Sequence, residues 1–452
     1  MHDKETICAL ATPTGGAIAA VRISGPWSIE ILNRIFSKDI TQASPNTVHF
    51  GRIFSPTTSS SEIEIIDEVL VNIYKAPHSY TGDDSAEIFC HGSSYIVSRI
   101  LQLLIKNGCR QALPGEFTMQ AYLNGKMDLS QAEAVADLIA SSNKATHDIA
   151  LSQLRGNFSS ELSQLRLQLL KLTSLLELEL DFSDHEDLEF ADRTELLQLA
   201  QTIESRIVGL KNSFETGQAL KNGIPVAIVG KTNVGKSTLL NSLLHDERAI
   251  VSDIHGTTRD TIEDTIDISG ITFRIIDTAG IRQTADTVEQ IGIDRTYRAI
   301  DKARIILWVI DEIPSQSELI DMQQRTSGKT LISVWNKADL HPLPDTKLFL
   351  IPVSAKKKQN IDTLERAIYT SANIPEITDQ HIIVTSARHY DALNKAHQNL
   401  LRVIEGLQAS LSGDLIAEDL RHVLSDLSDI TGGQITPQET LNNIFQHFCV
   451  GK

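Results

Sequence analysis

Leu151, Leu154, Phe158, Leu162, Leu165, Leu169, Leu172 and Leu176 recur at steps of three and four, which puts them on one face of a long helix with Gln, Ser and Arg opposite. Such a stripe reads as the core side of a helical bundle rather than as a partner-binding coiled coil. Upstream, residues 1–118 mix short β-like runs (17–23, 68–74, 86–89) with one helical stretch near 94–105. Ser24-Gly25-Pro26, Ala76-Pro77 and Thr81-Gly82-Asp83-Asp84 supply turns between them, and an α+β domain is expected. Residues 56–61 (PTTSSS) read as an exposed loop. The helical pattern that begins near 119 runs to about Leu220 and breaks at Lys221-Asn222-Gly223. Apolar strands then follow at 225–229, 272–276, 305–310, 330–335 and 348–353, alternating with helical stretches, as in a doubly wound, mostly parallel sheet. Helical pattern returns at 387–408, 414–430 and 437–448. Four segments result: an α+β domain over 1–118, a helical domain over 119–217 and 379–452, and an α/β domain over 218–378 inserted into it.

Composition narrows the function classes. A chain of 452 residues with 41% hydrophobic and 22% charged residues can bury several cores. Its formal charge of -17 argues against a general polyanion-binding surface, so any nucleic acid is expected to be handled together with a partner. The four cysteines, Cys8, Cys90, Cys109 and Cys449, form no CxxC pair, against both a disulfide framework and a structural zinc site. The first residues carry two acidic side chains and no long apolar run, unlike a signal peptide. The longest apolar stretch of the later chain, 305–310, is far too short to span a bilayer, and a soluble, cytoplasmic protein is expected. The acidic segment 181–189 lacks the glycine turn of a calcium-binding hand and reads as a solvated connection.

The chemistry concentrates in the inserted domain. Gly230-Lys231-Thr232-Asn233-Val234-Gly235-Lys236-Ser237 is a complete GxxxxGK[ST] phosphate loop, with a strand before it and a helical run from Thr238 after it. Its backbone N–H groups and the helix N-terminus can wrap phosphates, Lys236 can hold the β/γ-phosphates, and Ser237 can ligate magnesium. Thr257-Thr258-Arg259-Asp260 follows Gly256, where Thr258 can reach the same magnesium ion. Asp277-Thr278-Ala279-Gly280 ends a strand and brings a carboxylate near the metal and an N–H near the γ-phosphate. Asn336-Lys337-Ala338-Asp339 ends another, where Asp339 can accept from guanine N1–H and its amine, donors that adenine lacks. Ser354-Ala355-Lys356 ends the next, with the Ala355 N–H facing guanine O6. NKAD alone reads as an ordinary cap or turn. All five in this order and spacing read as a guanine-nucleotide site.

Many GTPases orient the attacking water with a glutamine just after DxxG; here that position is Ile281, whose aliphatic side chain cannot. Asn233, inside the phosphate loop, either ligates a monovalent cation in place of an arginine finger or simply suits a tight turn. Glu289 lies in the charged stretch 282–290; it is either a carboxylate brought in to orient water or a solvated surface charge.

The phosphate loop, GTTRD, DTAG with its aliphatic successor, and the closing Phe448-Cys449-Val450-Gly451-Lys452 together resemble the tRNA modification GTPase family MnmE, also called TrmE. The runs 11–25, Ser79-Tyr80-Thr81-Gly82, Pro114-Gly115-Glu116-Phe117-Thr118 and 123–139 extend the resemblance to the whole chain, although Cys90-His91-Gly92-Ser93 stands where a glycine-richer run is common. The resemblance implies a folate-binding, dimerising N-terminal domain and G domains that pair across a potassium ion. It implies Asn233, Ser252, Ile254 and Thr257 as potassium ligands and Glu289 as the catalytic glutamate. It also implies Arg22, Glu87, Lys126 and Lys452 at a site for 5-formyl- or methylene-tetrahydrofolate, where Arg and Lys can meet carboxylates and Glu87 can accept pterin N–H groups. The implied assembly is a homodimer joined to the flavin-dependent MnmG (GidA) subunit, which carries FAD, in a heterotetramer with tRNA as substrate. The implied product carries a carboxymethylaminomethyl or aminomethyl group at C5 of the wobble uridine. Two other classes compete: an RNA-binding assembly or signalling switch, disfavoured by the acidic charge and missing basic tail, and a folate-responsive scaffold with vestigial hydrolysis.

Overall fold

The computed structural model describes residues 5–56, 63–181, 193–244, 264–276, 297–346, 348–374, 381–433, 438–446 and 448–451. Its contacts group into two units. One comprises Met1–Ala140, Leu151–Glu204 and Lys395–Lys452, the other Ser141–Ala150 and Ser205–Asn394.

The first unit holds a six-stranded sheet in the order β3-β4-β5-β2-β1-β6, from β1 (Ile7–Leu10), β2 (Ile18–Ser24), β3 (Thr47–Pro56), β4 (Ile63–Tyr74), β5 (Ser85–His91) and β6 (Arg110–Gln111). Pairing is antiparallel except between β1 and β6. Period-2 alternation decides the two faces. Ala19, Val21 and Ile23 of β2 and Ala86, Ile88 and Cys90 of β5 are buried. Val97, Ile100, Leu103 and Leu104, the apolar stripe of α2 (Ser94–Lys106), join them in one core. Arg22 and Glu87 pair across β2 and β5 on the opposite face. α1 (Ser28–Asn33), α3 (Glu116–Leu123) and α4 (Leu129–Ala140) complete this part.

The leucine stripe is not one helix. α5 (Lys144–Leu154) stops before Gly156, whose φ of +87° is left-handed, and α6 (Asn157–Asp181) starts afterwards. Within α6 the stripe is the core side: Phe158, Leu162, Leu165, Leu169, Leu172 and Leu176 are at most 3% exposed. Leu151 and Leu154 on α5 are only half-buried. α7 (Arg193–Asn222) precedes the second sheet.

That sheet has the order β12-β11-β10-β7-β9-β8, built from β7 (Ile224–Val229), β8 (Asp264–Ile268), β9 (Ile271–Ile276), β10 (Ile305–Ile310), β11 (Thr330–Trp335) and β12 (Leu350–Pro352). It is parallel but for β8, which no apolar run announces: a tight turn through Ser269 and Gly270, both at positive φ, folds it antiparallel onto β9. β10 shows the doubly wound arrangement in one strand. Ile305, Leu307 and Val309 enter one apolar core while Ile306, Trp308 and Ile310 enter another. α8 (Lys236–Leu243), α9 (Gln316–Arg325) and α10 (Ile361–Ser371) belong to this unit. The later helices are α11 (Ala387–Gln408), α12 (Gly413–Thr431), which packs along α6, and α13 (Gln438–Phe445).

Candidate functional site

β7, β11 and β12 run parallel, so the segments that leave their C-terminal ends gather along one edge of the sheet. Gly230 leaves β7 with φ +150°, and a Cβ there would overlap the carbonyl oxygen of Val309 at the end of β10. Gly235, the residue before α8, has no room either, because a Cβ would strike the Asn336 amide nitrogen. Both glycines therefore let the loop pass close against its neighbours. Val234 is buried as the loop's apolar anchor, whereas Asn233, Ser237 and Thr238 are exposed. Lys236 folds back over the loop and donates from Nζ to Gly230 O (2.7 Å) and Lys231 O (2.6 Å). Burial pulls its pKa below the ordinary lysine value.

Asn336 ties three segments together. Its Nδ2 donates to Val234 O at 2.8 Å, and its Oδ1 accepts from the Ala355 N–H at 3.2 Å. The amide expected to face guanine O6 thus serves the internal frame of the site, since a buried N–H requires a partner. Lys337 lies across the phosphate loop, donating to Asn233 O at 2.9 Å and pairing with Asp311 at 2.6 Å. Asp339 Oδ1 accepts from Ser354 Oγ at 2.7 Å, and its Oδ2 lies 3.2 Å from Lys357 Nζ. The Ser354 hydroxyl, with Lys357 adding to it, holds the Asp339 carboxyl below the usual range. Lys356 is exposed. Asn233 has φ +65°, a conformation that Asn tolerates, so its turn reading has a structural basis whatever its side chain ligates. Ser252, Ile254, Thr257, Thr258, Asp277, Thr278, Ala279, Gly280, Glu289 and Lys452 lie outside the described residues. Asp311 and Lys357 were missed by reasoning from motifs; the strand end after β10 and the residue following Ser354-Ala355-Lys356 were the available signals.

A second cluster lies on the face of the N-terminal sheet away from α2. Arg22 donates from Nε (3.0 Å) and Nη2 (2.8 Å) to Glu87 Oε1, and from Nη1 to Gly451 O (3.2 Å). Its guanidinium carbon sits 5.3 Å from the Tyr80 ring centroid and 5.6 Å from that of Phe117. Tyr80 bonds Thr118 at 2.9 Å, and burial pushes its phenol pKa up. The Tyr74 hydroxyl reaches Glu87 Oε2 at 3.5 Å. Gly451 is left-handed (φ +93°) and leaves no space for a Cβ against Leu10 O, while Cys449 O accepts from the Gly115 N–H at 3.3 Å. The terminal segment is thereby docked beside Arg22. Lys126 donates to Pro77 O at 2.9 Å and borders Gly82, on the loop that carries Tyr80. Tyr80 and Phe117 had appeared only inside family-like runs, without a role.

Hydroxyl and amide oxygens at Ser237 and Asn233 suit hard cations, and the exposed Ser237 stands at the start of α8, where a phosphate-bound magnesium ion would be reached. The Arg22 cluster brings a guanidinium, a carboxylate and two rings together on one sheet face.

Residues 129–449 match the MnmE helical domain, and residues 6–126 match the GTP-binding protein TrmE N-terminus. The chain is 54% identical to the tRNA modification GTPase MnmE of Phocaeicola vulgatus and 53% identical to that of Bacteroides thetaiotaomicron, with all of both chains covered in each case. The protein of the same name from Flavobacterium johnsoniae is 48% identical, again over the full length of both. No described helix is long and apolar enough to cross a membrane. With the phosphate loop, NKAD and the Ser354 segment assembled at one sheet edge and family matches over nearly its whole length, this chain belongs to the MnmE family of tRNA modification GTPases.

Proposed function

We propose that this GTPase hydrolyses GTP with magnesium and potassium and, as a homodimer joined to a flavin-dependent MnmG-type subunit, installs the carboxymethylaminomethyl or aminomethyl group on the tRNA wobble uridine. The one-carbon unit comes from a tetrahydrofolate derivative, and the work is done in the cytoplasm. The observation that carries the reading is the linkage of the phosphate loop to the base-reading segment through Asn336. Lys236, with the first amides of α8, binds phosphate oxygens, and Ser237, with Thr258 as its expected companion, ligates magnesium. Asp339 reads the guanine edge. Asn233, with Ser252, Ile254 and Thr257, holds potassium, which supplies the positive charge that an arginine finger brings elsewhere. Glu289 orients the attacking water, a task that Ile281 cannot perform.

The N-terminal cluster is the folate site in this reading. Arg22 is committed to Glu87 and to the docked tail, so its part is to hold Glu87 and the terminal segment where pterin groups meet them, with Lys126 and Lys452 left for the ligand's carboxylates. Dimerisation is supported by Val48, Phe50 and Leu70, each about half exposed or more. Phe50 pairs with Leu70 across β3 and β4, and the same face continues through Asn72 to Glu87.

GTP turnover measured in potassium and in sodium tests the cation mechanism, with faster turnover in potassium expected. Equal, slow rates in both would contradict it. Mass analysis of wobble uridines in a strain lacking the gene tests the tRNA role, and unchanged C5 modification would refute it.

A further inference from the structure

Asp339 is the group on which base recognition rests, and two donors already occupy it. Ser354 Oγ takes Oδ1 at 2.7 Å. Lys357 Nζ lies at 3.2 Å from Oδ2. The two donors differ in kind. Ser354 is 1% exposed and fixed: it forms a two-way backbone bridge with Gln359, and its hydroxyl also accepts from the Lys357 N–H at 3.3 Å. The Lys357 side chain is 56% exposed on a flexible stem, while the carboxylate it covers is only 10% exposed. A guanine edge presents two donors, N1–H and the exocyclic amine, and needs a lone pair on each oxygen of Asp339. Ser354 can remain on one side of Oδ1. The ammonium covers Oδ2, the other oxygen whose lone pair the base needs.

We infer that Lys357 competes with the guanine base for Asp339 and so hastens nucleotide release. This rests on Asp339 being the guanine-reading residue. The device is a positioning one: Lys357 touches the reader rather than the reacting phosphates. Whenever the base lifts away, the lysine swings back and satisfies the carboxylate, which removes part of the penalty for leaving a charge unpaired. An ion pair whose lysine is more than half exposed is weak, so it shifts the balance without blocking the site. The adjoining Lys356 is exposed, and Lys357 is the lysine that pairs with Asp339.

The test uses the full-length protein and a fluorescent GDP analogue, chased with excess unlabelled GDP in a stopped-flow instrument. Lys357→Met keeps the apolar stem and removes the ammonium. Release should slow by about two- to fivefold. The difference should shrink as salt is raised, because screening weakens the wild-type ion pair and has none to weaken in the variant. Unchanged or faster release from Lys357→Met at low salt overturns the competition. Asp339→Asn separates the two levels of the argument. If that variant loses guanine preference, its double mutant with Lys357→Met should release a xanthine nucleotide no more slowly than Asp339→Asn alone; a further slowing would mean that Lys357 acts elsewhere. If Asp339→Asn keeps full guanine selectivity, the base is read by another group, and the inference falls together with that reading.

Discussion

Arg22 grips a single oxygen of Glu87 through two nitrogens, at 3.0 and 2.8 Å, and spends its third on the backbone carbonyl of Gly451. The two side chains are only 14% and 19% exposed, so the pair is held largely away from water.

Breaking that pair should be costly in two readouts. Arg22→Ala leaves Glu87 buried without its main partner and should destabilise the N-terminal unit by roughly 3 kcal/mol in urea unfolding. Arg22→Lys retains the charge but cannot serve Glu87 and Gly451 O together, since a lysine lacks the planar fork. Binding of 5-formyltetrahydrofolate, followed by calorimetry, should weaken about tenfold or more in Arg22→Lys. Undiminished binding would remove Arg22 and the docked tail from the ligand site.

Asp339→Asn should lower affinity for GTP by about 100-fold, the loss of charge-assisted bonds to the base, and should shift preference toward xanthine nucleotides. Competition binding with GTP and XTP reads this directly; unaltered GTP selectivity would refute the role.

Much of this site was legible in the chain because phosphate and base chemistry demand particular residue types at strand ends. GxxxxGKS, NKAD and the Ser354 segment could be assigned before their strands were seen to lie parallel. Contacts across the fold were not legible. The Lys357–Asp339 pair depends on how the 354–360 turn is closed, and the Arg22–Gly451 bond joins residues at opposite ends of the sequence. The fold itself was readable where the apolar pattern was strong, unbroken in β10 and helical in its spacing in α6. It failed at Gly156, where a single left-handed residue split an unbroken leucine pattern, and at β8, whose Asp-Thr-Ile-Asp-Ile run gives just Ile266 and Ile268 to the core and is turned back onto β9 by its hairpin.

Glu289→Ala should slow GTP hydrolysis by roughly 100-fold in potassium buffer while leaving nucleotide affinity nearly intact. Single-turnover rates and fluorescent-nucleotide titration separate the two. A large loss of affinity would indicate a structural role.

Thiol labelling should discriminate sharply among the four cysteines. Cys449 is exposed, whereas Cys8, Cys90 and Cys109 are buried, and burial pushes the Cys90 thiol up to about 11. At pH 8 the native protein should consume one equivalent of a chromogenic disulfide reagent quickly, and the remaining three only after unfolding. Rapid reaction of two or more would contradict this packing.

Gly92→Ala should destabilise the protein by about 3 kcal/mol, because the added methyl would overlap the Gly16 carbonyl oxygen and force the backbone apart. Thermal and urea unfolding of the variant measure it. Wild-type stability would mean that the 16–17 and 92 segments part without cost.

Asn336 leaves a constraint on ligand size. One carboxamide clasps the phosphate end at Val234 and the base end at Ala355, so it acts as a ruler between them. A nucleotide analogue whose sugar is lengthened by even a methylene could satisfy either end but not both, and the protein should reject it although every functional group is present.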